Sequence, residues 1–157
     1  MNISIKYLII ISIFMATFSG CKKGGGTPEP AISDTTKPAI SVTKPIAGQV
    51  FVAGNTITFQ ATFSDNEKLK SYEISISKVA TGGFILKNVP ASVSFSYIRS
   101  STSFSSGVKQ EVISLSDIII PANTATTIVT PGKYNFNVTC LDGSTNSTQT
   151  TIEININ

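Results

Sequence analysis

Residues 131–140 read Pro-Gly-Lys-Tyr-Asn-Phe-Asn-Val-Thr-Cys and carry the clearest structural pattern of this 157-residue chain. After the Pro-Gly break, apolar side chains stand at every second position from Tyr134 to Cys140, with polar side chains between them. Successive side chains of a β-strand point to opposite faces of a sheet, so a period of two is typical of a strand with one face in a core. The stretch therefore predicts a half-buried strand that begins at a turn.

The same alternation recurs elsewhere along the chain. Glycine, proline, asparagine and aspartate separate the alternating segments, and no segment keeps a helical period over three turns. About seven short strands with such turns predict an all-β fold, an immunoglobulin-like antiparallel β-sandwich over residues 34–157. The other apolar segments are Ile40–Val42, Ile57–Phe63, Tyr72–Ile76, Val93–Tyr97, Ile113–Ile120 and Ile152–Ile156.

The composition narrows the classes of function. Histidine and tryptophan are absent, which removes the commonest general base, the commonest transition-metal ligand and the usual platform for sugar stacking. From Asp34 onward the chain has nine lysines and arginines and eight aspartates and glutamates. The domain is therefore nearly neutral and has no excess of positive charge to attract nucleic acid. Because a nucleophile motif is also missing, we predict a non-catalytic protein. We further expect no nucleic-acid partner and no cofactor, with calcium as the one possible exception.

The N-terminal residues have the pattern of an export signal. Lys6 precedes an apolar run of about a dozen residues, 7–18, which fits a secretory signal core of about 7 to 15 residues and is shorter than a membrane span of roughly 20. Two small residues and then Cys21 resemble the lipobox of bacterial lipoproteins. That resemblance implies removal of residues 1–20, a diacylglycerol on the Cys21 thiol and acylation of its new amino group. The alternative is an ordinary secretory signal with an incidental cysteine.

Residues 21–33 would then hold the lipidated cysteine and a flexible linker, since glycines and prolines dominate them. Two or three acyl chains would anchor the chain stably in a membrane. With Cys21 carrying lipid, Cys140 has no disulfide partner, and we expect it to be a buried core residue.

The order of several short motifs resembles a known family. Asp34-Thr35-Thr36-Lys37-Pro38 leads into the first strand, Asp65-Asn66 follows the second, and Asp117–Pro121 and Gly132–Phe136 lie near the end. This order resembles bacterial immunoglobulin-like domains, and most of all a family of uncharacterised Bacteroidetes lipoproteins with such a domain of unknown function. The resemblance covers Asp34 to Asn157. It implies that Tyr134 forms the tyrosine corner of that fold, with its hydroxyl bonded to nearby backbone.

The same resemblance bears on location and modification. Surface-exported lipoproteins of this phylum tend to carry acidic residues after the lipidated cysteine, whereas Lys22-Lys23-Gly24 follow it here. We therefore expect an outer-membrane lipoprotein that faces the periplasm, with surface exposure as the open alternative. Asp34-Thr35-Thr36 also resembles the short O-glycosylation motif of Bacteroidetes periplasmic proteins, which makes Thr35 a candidate glycan site.

Oxygen-bearing side chains cluster in the predicted loops. In an immunoglobulin-like sandwich the N-terminal entry, the B–C loop and the F–G loop lie at the same end. Calcium takes six to eight hard oxygen ligands, and these loops offer a candidate set. The alternative is turn chemistry, because Asp and Asn also bond their own backbones. The candidate ligands are Asp34, Asp65, Asn66, Glu67, Asp142 and Asn146.

The serine-rich residues 82–109 have two interpretations. One is a long hairpin with a mobile tip. The other is a binding loop with Phe84, Arg99 and Phe104 as its contact residues, because loops on a rigid sandwich commonly carry function.

These patterns together predict a lipid-anchored, non-catalytic binding or structural module of the cell envelope. A partner protein would add to an exposed sheet edge, or a glycan would bind the serine-rich segment. The alternative function is a calcium-binding envelope protein that uses the acidic loops at one end of the sandwich.

Overall fold

The computed structural model describes residues 33–80 and 90–157, and these residues form an all-β sandwich. The fold class is therefore the predicted immunoglobulin-like one. Three of the ten described strands are only two or three residues long, too short to show a period in the sequence. The strands are β1 (Ala39–Lys44), β2 (Val50–Phe51), β3 (Thr56–Ser64), β4 (Leu69–Lys78), β5 (Ala91–Val93), β6 (Tyr97–Ser103), β7 (Gln110–Ile119), β8 (Thr127–Val129), β9 (Gly132–Asp142) and β10 (Ser147–Ile156).

Two large sheets make up the sandwich. One has the order β1-β3-β7 and the other the order β2-β10-β9-β4-β6, while β5 and β8 form a separate two-stranded parallel sheet. Pairing within the large sheets is antiparallel, except that the short β2 runs parallel to β10. The sheet edges are therefore β1 and β7 on one sheet, and β2 and β6 on the other. Across the described ranges, no helix has the length and apolar character needed to cross a membrane.

The hydrophobic core lies between the two large sheets. Alternation turns every second side chain of β3 and of β9 inward, as the sequence pattern predicts. Phe59 of β3 stacks on Phe136 of β9 with ring centroids 5.6 Å apart, which joins the two sheets at the centre. The buried apolar members of these two strands are Ile57, Phe59, Ala61, Phe63, Tyr134, Phe136, Val138 and Cys140.

The predicted tyrosine corner is present. Tyr134 is fully buried, and its hydroxyl donates a hydrogen bond of 2.6 Å to the carbonyl oxygen of Thr130, four residues earlier. The same hydroxyl accepts a bond of 3.3 Å from the backbone N–H of Phe95. Burial raises the pKa of Tyr134 above its usual value, because water no longer stabilises the phenolate. Tyr134 thus fixes the entry of β9 against the segment that joins β5 to β6.

Cys140 is a core residue, as predicted. Its side chain is fully buried in β9 and forms no disulfide within residues 33–80 and 90–157. Burial first, and then the negative charges of Asp65 and Asp142, raise the pKa of the Cys140 thiol to about 12. A thiol that stays protonated and inaccessible has no nucleophilic role.

Candidate functional site

Three segments converge at one end of the sandwich and bring three aspartates together. Asp34 lies in the segment that precedes β1, Asp65 follows β3, and Asp142 ends β9. One carboxylate oxygen from each lies within 4.8 Å of the other two. The three loops that carry these residues therefore lie at the same end of the sandwich, as the sequence predicts. We call them the Asp34–Asp65–Asp142 cluster.

Asp142 is the innermost member and stabilises a turn. It is fully buried, and its Oδ1 accepts hydrogen bonds of 2.8 Å each from the backbone N–H groups of Ser144 and Asn146. Its Oδ2 accepts a bond of 2.7 Å from the side-chain amide of Asn146. The turn between β9 and β10 is thus closed by one carboxylate, as turn chemistry predicts.

Asp34 and Asp65 each use one oxygen in the same way. Oδ1 of Asp65 accepts from the N–H groups of Glu67 and Lys68 at 3.0 and 2.9 Å. Oδ1 of Asp34 accepts from the N–H of Thr36 at 2.9 Å and from the amide of Asn66 at 3.1 Å. These donors, the Thr36 N–H above all, lower the pKa of Asp34 below its usual value because they stabilise the carboxylate form.

The second oxygens of Asp34 and Asp65 are different. Oδ2 of each is shielded from solvent and has no hydrogen-bond partner in the described part of the chain. Neither residue, nor Asp142, forms an ion pair with a lysine or arginine in the described ranges. Buried polar atoms are normally satisfied by a protein group, a water molecule or an ion, and these two carboxylate oxygens lie beside a third carboxylate.

The other candidate ligands take different roles. The side-chain nitrogen of Asn146 donates to the carbonyl oxygens of Asp34 and Thr36 at 3.0 and 3.3 Å, so this residue fastens the N-terminal segment to the turn between β9 and β10. Asn66 also donates through its amide nitrogen, and its backbone carbonyl oxygen accepts a bond of 2.6 Å from the Lys109 ammonium. Glu67 contributes a backbone N–H to Asp65, while its exposed side chain is not part of the cluster. The contacts of Asn146 and Asn66 join residues more than 30 positions apart, which sequence alone does not reveal.

The structure corrects the prediction that Arg99 and Phe104 are contact residues of a binding loop. Phe104 is buried and packs edge-on against Phe63 with ring centroids 5.1 Å apart, so it belongs to the core and not to a contact surface. Arg99 lies in strand β6, where its guanidinium donates to the Tyr97 hydroxyl at 2.9 Å and forms an ion pair with Asp117 of β7. The Tyr97 hydroxyl first, and then the Asp117 carboxylate, raise the pKa of Arg99 through the hydrogen bonds that they accept from its guanidinium. Phe84 lies outside the described residues.

The long hairpin predicted for the serine-rich region does not form in its described part. There β5 pairs with β8, and β6 pairs with β4 of the five-stranded sheet. Thr35, the candidate glycan site, is exposed beside the Asp34–Asp65–Asp142 cluster.

A shallow cavity that the sequence does not reveal lies between the β5–β8 sheet and the end of β7. Its volume is about 440 Å³, and its lining is mainly apolar, with Val93, Phe95, Ile119 and Pro121 among its residues. Tyr97 is the only ionisable residue among those described around it. Such a lining has no acid–base pair for catalysis.

Comparisons with known proteins identify a family but no activity. The sequence model of the family described as "Domain of unknown function (DUF4625)" matches residues 21–157. A search of curated proteins finds no match. Among solved structures, the chain is similar to the fibronectin(III)-like modules of Clostridium thermocellum CbhA, with 13% identity and a TM-score of 0.42 over 75% of this chain and 94% of that one. This level of similarity assigns neither a site nor a function.

Proposed function

Since the chain belongs to the family described as Domain of unknown function (DUF4625), which names no activity, we propose from its own residues a lipid-anchored, non-catalytic binding or structural module of the bacterial cell envelope. The observation that supports this proposal is the combination of a lipobox-like Cys21 with a compact β-sandwich unit that spans Ser33–Asn157. The finer proposal is a Bacteroidetes outer-membrane lipoprotein that faces the periplasm.

The anchor is tested by labelling cells with a radioactive fatty acid and separating membranes from the soluble fraction. We expect the label on wild-type protein and its loss in a Cys21→Ala variant, which should then be found in the soluble fraction. Cys140→Ala is the matched control, because Cys140 is fully buried, and it should keep the label. Label that persists in the Cys21→Ala protein would contradict the anchor.

Recognition of a partner protein through a sheet edge is supported by β7. This strand is ten residues long, forms one edge of its sheet, and exposes Val112 at 55% and Ile119 at 62%. An exposed edge of this length can accept an added strand from a partner. A glycan remains the other candidate ligand of the module.

Cross-linking in envelope extract and a glycan array separate the two kinds of ligand. A Val112→Lys variant should lose a protein partner that binds at β7, because a lysine on an edge opposes strand addition. Thr58→Lys is the control, since Thr58 is exposed on β3, the central strand of the same sheet. A partner that both variants retain would exclude the β7 edge, and binding on the array would favour a glycan.

A second function, calcium binding, is favoured by the unpaired Oδ2 atoms of Asp34 and Asp65. The Asp34–Asp65–Asp142 cluster supplies three hard oxygen donors, the type that calcium prefers, and water or backbone carbonyls would complete the six to eight ligands. A bound cation would also offset the repulsion among three close carboxylates. In this proposal the protein therefore supplies charged carboxylate oxygens that are partly shielded from solvent.

Thermal unfolding with and without millimolar calcium tests this second function. A ligand that binds only the folded state raises its stability, so we expect the melting temperature to rise by about 3–10 °C. Asp65→Asn should abolish the rise, whereas Glu73→Gln should keep it, because Glu73 is an exposed carboxylate on β4 outside the cluster. An unchanged melting temperature of the wild-type protein would end the proposal.

A further inference from the structure

A β-bulge divides the edge strand β7 into two unequal parts. Residues Gln110–Leu115 pair with Phe59–Ser64 of β3 in unbroken register. Beyond them, Ser116 and Asp117 together oppose the single residue Thr58 of β3, and both are exposed where the alternation of the strand is lost. A bulge bends a strand and interrupts its ladder of backbone hydrogen bonds. Only the part before the bulge therefore offers a regular edge to an added strand.

An ion pair obstructs the edge of β7 at the bulge. The Asp117 carboxylate pairs with Arg99 of β6, which is the edge strand of the other sheet in the described part of the chain. The Arg99 guanidinium also donates to the Tyr97 hydroxyl at 2.9 Å, so two contacts fix its position. An added strand would need the space about 4.7–4.9 Å from β7, and here the Arg99 side chain bridges to β7. Bulges and charged side chains are known means of protecting sheet edges.

The side chains of Gln110–Leu115 indicate which partner would fit. Ile113 and Leu115 are half-buried and pack against the core, while Val112 and Ser114 on the opposite face are exposed and uncharged. The Glu111 carboxylate accepts a hydrogen bond of 3.0 Å from a backbone N–H of the β6–β7 loop. A strand that complements this edge would therefore be uncharged. It would place apolar side chains at every second position, next to Ile113 and Leu115.

We propose that Gln110–Leu115 is the docking site for an uncharged, extended segment of a partner protein with apolar side chains at alternate positions. The bulge and the Arg99–Asp117 ion pair exclude this segment from the rest of the edge. In such strand addition, backbone hydrogen bonds provide affinity and alternate side chains provide specificity. This inference rests on the proposed recognition of a partner through β7, and it adds the limits of the site and the chemistry of the partner.

A capped, fluorescently labelled synthetic peptide that alternates valine and threonine is the probe. With saturating peptide, hydrogen–deuterium exchange on the full chain should slow by about tenfold or more at amides of residues 111–115 and change little at residues 116–119. Ser114→Lys should weaken peptide binding, measured by fluorescence anisotropy, by about tenfold or more, because a lysine on an edge opposes strand addition. Ser116→Lys is the matched control, since Ser116 is also an exposed serine of β7, and it should bind like wild type.

The outcomes separate the limits of the site from the site itself. Protection that extends equally over residues 116–119 would overturn the limits and leave the β7 edge as a docking site. Protection nowhere in β7 would overturn both this inference and strand addition at β7. The wild-type exchange decides these two cases whether or not a variant folds.

Arg99→Met tests the part assigned to the ion pair. Without the guanidinium, the protection by the peptide should extend to Ser116 and Asp117. Protection that still ends at Leu115 would overturn the role of the pair, and melting of the variant without peptide reports whether it is folded.

Discussion

At the scale of single residues, Tyr134 shows how one polar group can fix a corner of the sandwich. Its buried hydroxyl bonds the Thr130 carbonyl oxygen and the Phe95 N–H at once. Tyr134→Phe would leave both groups without this partner, so we expect a loss of about 1–3 kcal/mol in the free energy of unfolding. Chemical denaturation measures the loss. Tyr72→Phe is the control, because the Tyr72 hydroxyl has no hydrogen bond to any residue that the structure describes, and an equal loss in both variants would contradict the corner's role.

Cys140 gives a residue-scale prediction about reactivity and pH. A thiol with a pKa of about 12 stays protonated in the folded protein, so we expect no reaction with a thiol reagent at pH 8 until the domain unfolds. The raised pKa also makes the free energy of unfolding depend on pH. The unfolded chain releases the Cys140 proton at lower pH than the folded chain does. The contribution of this thiol to the free energy of unfolding is therefore complete below pH 9 and is lost as the pH rises from 9 to 12. Rapid labelling of the native protein would show that Cys140 is accessible.

At the scale of elements, Arg99 and Asp117 connect the edge strands β6 and β7, which belong to different sheets. Their ion pair is partly exposed, with 28% and 61% of the two side chains accessible, so we expect it to contribute about 0.2–1 kcal/mol. A double-mutant cycle of Arg99→Met and Asp117→Asn, followed by denaturation at low and high salt, measures the coupling. A coupling above about 2 kcal/mol would mean that these two edges depend on the pair far more than its exposure suggests.

The elements also show how far sequence reasoning reaches. Long strands such as β3 and β9 are predictable because their alternation repeats over four or more side chains, whereas β2, β5 and β8 are too short for any period. The burial of Phe104 is not predictable from its serine-rich neighbours, because its side chain packs against residues of β3 and β4, among them Phe63. The sequence likewise does not predict which strands pair with each other, for example that β5 pairs with β8.

The candidate site follows the same rule. The positions of the loops in an immunoglobulin-like sandwich were enough to predict that Asp34, Asp65 and Asp142 lie close together. It could not show which oxygen of each carboxylate is already bonded, or that Asn146 acts through its amide nitrogen, because these depend on side-chain orientation. The proposal of a cation therefore rests on the free oxygens and not on the motif.

At the scale of the whole molecule, the question is what stabilises a domain of this size without a cross-link. Cys140 is fully buried beneath the sheets and forms no disulfide in the described part of the chain, so packing between the two sheets must suffice. We expect the unfolding midpoint to be the same with and without a reducing agent, in wild-type protein and in the Cys21→Ala variant alike. Calorimetry at two reductant concentrations measures this. A midpoint that falls on reduction only when Cys21 is present would reveal a Cys21–Cys140 disulfide, and such a bond is incompatible with lipid on Cys21, since one sulfur cannot hold both.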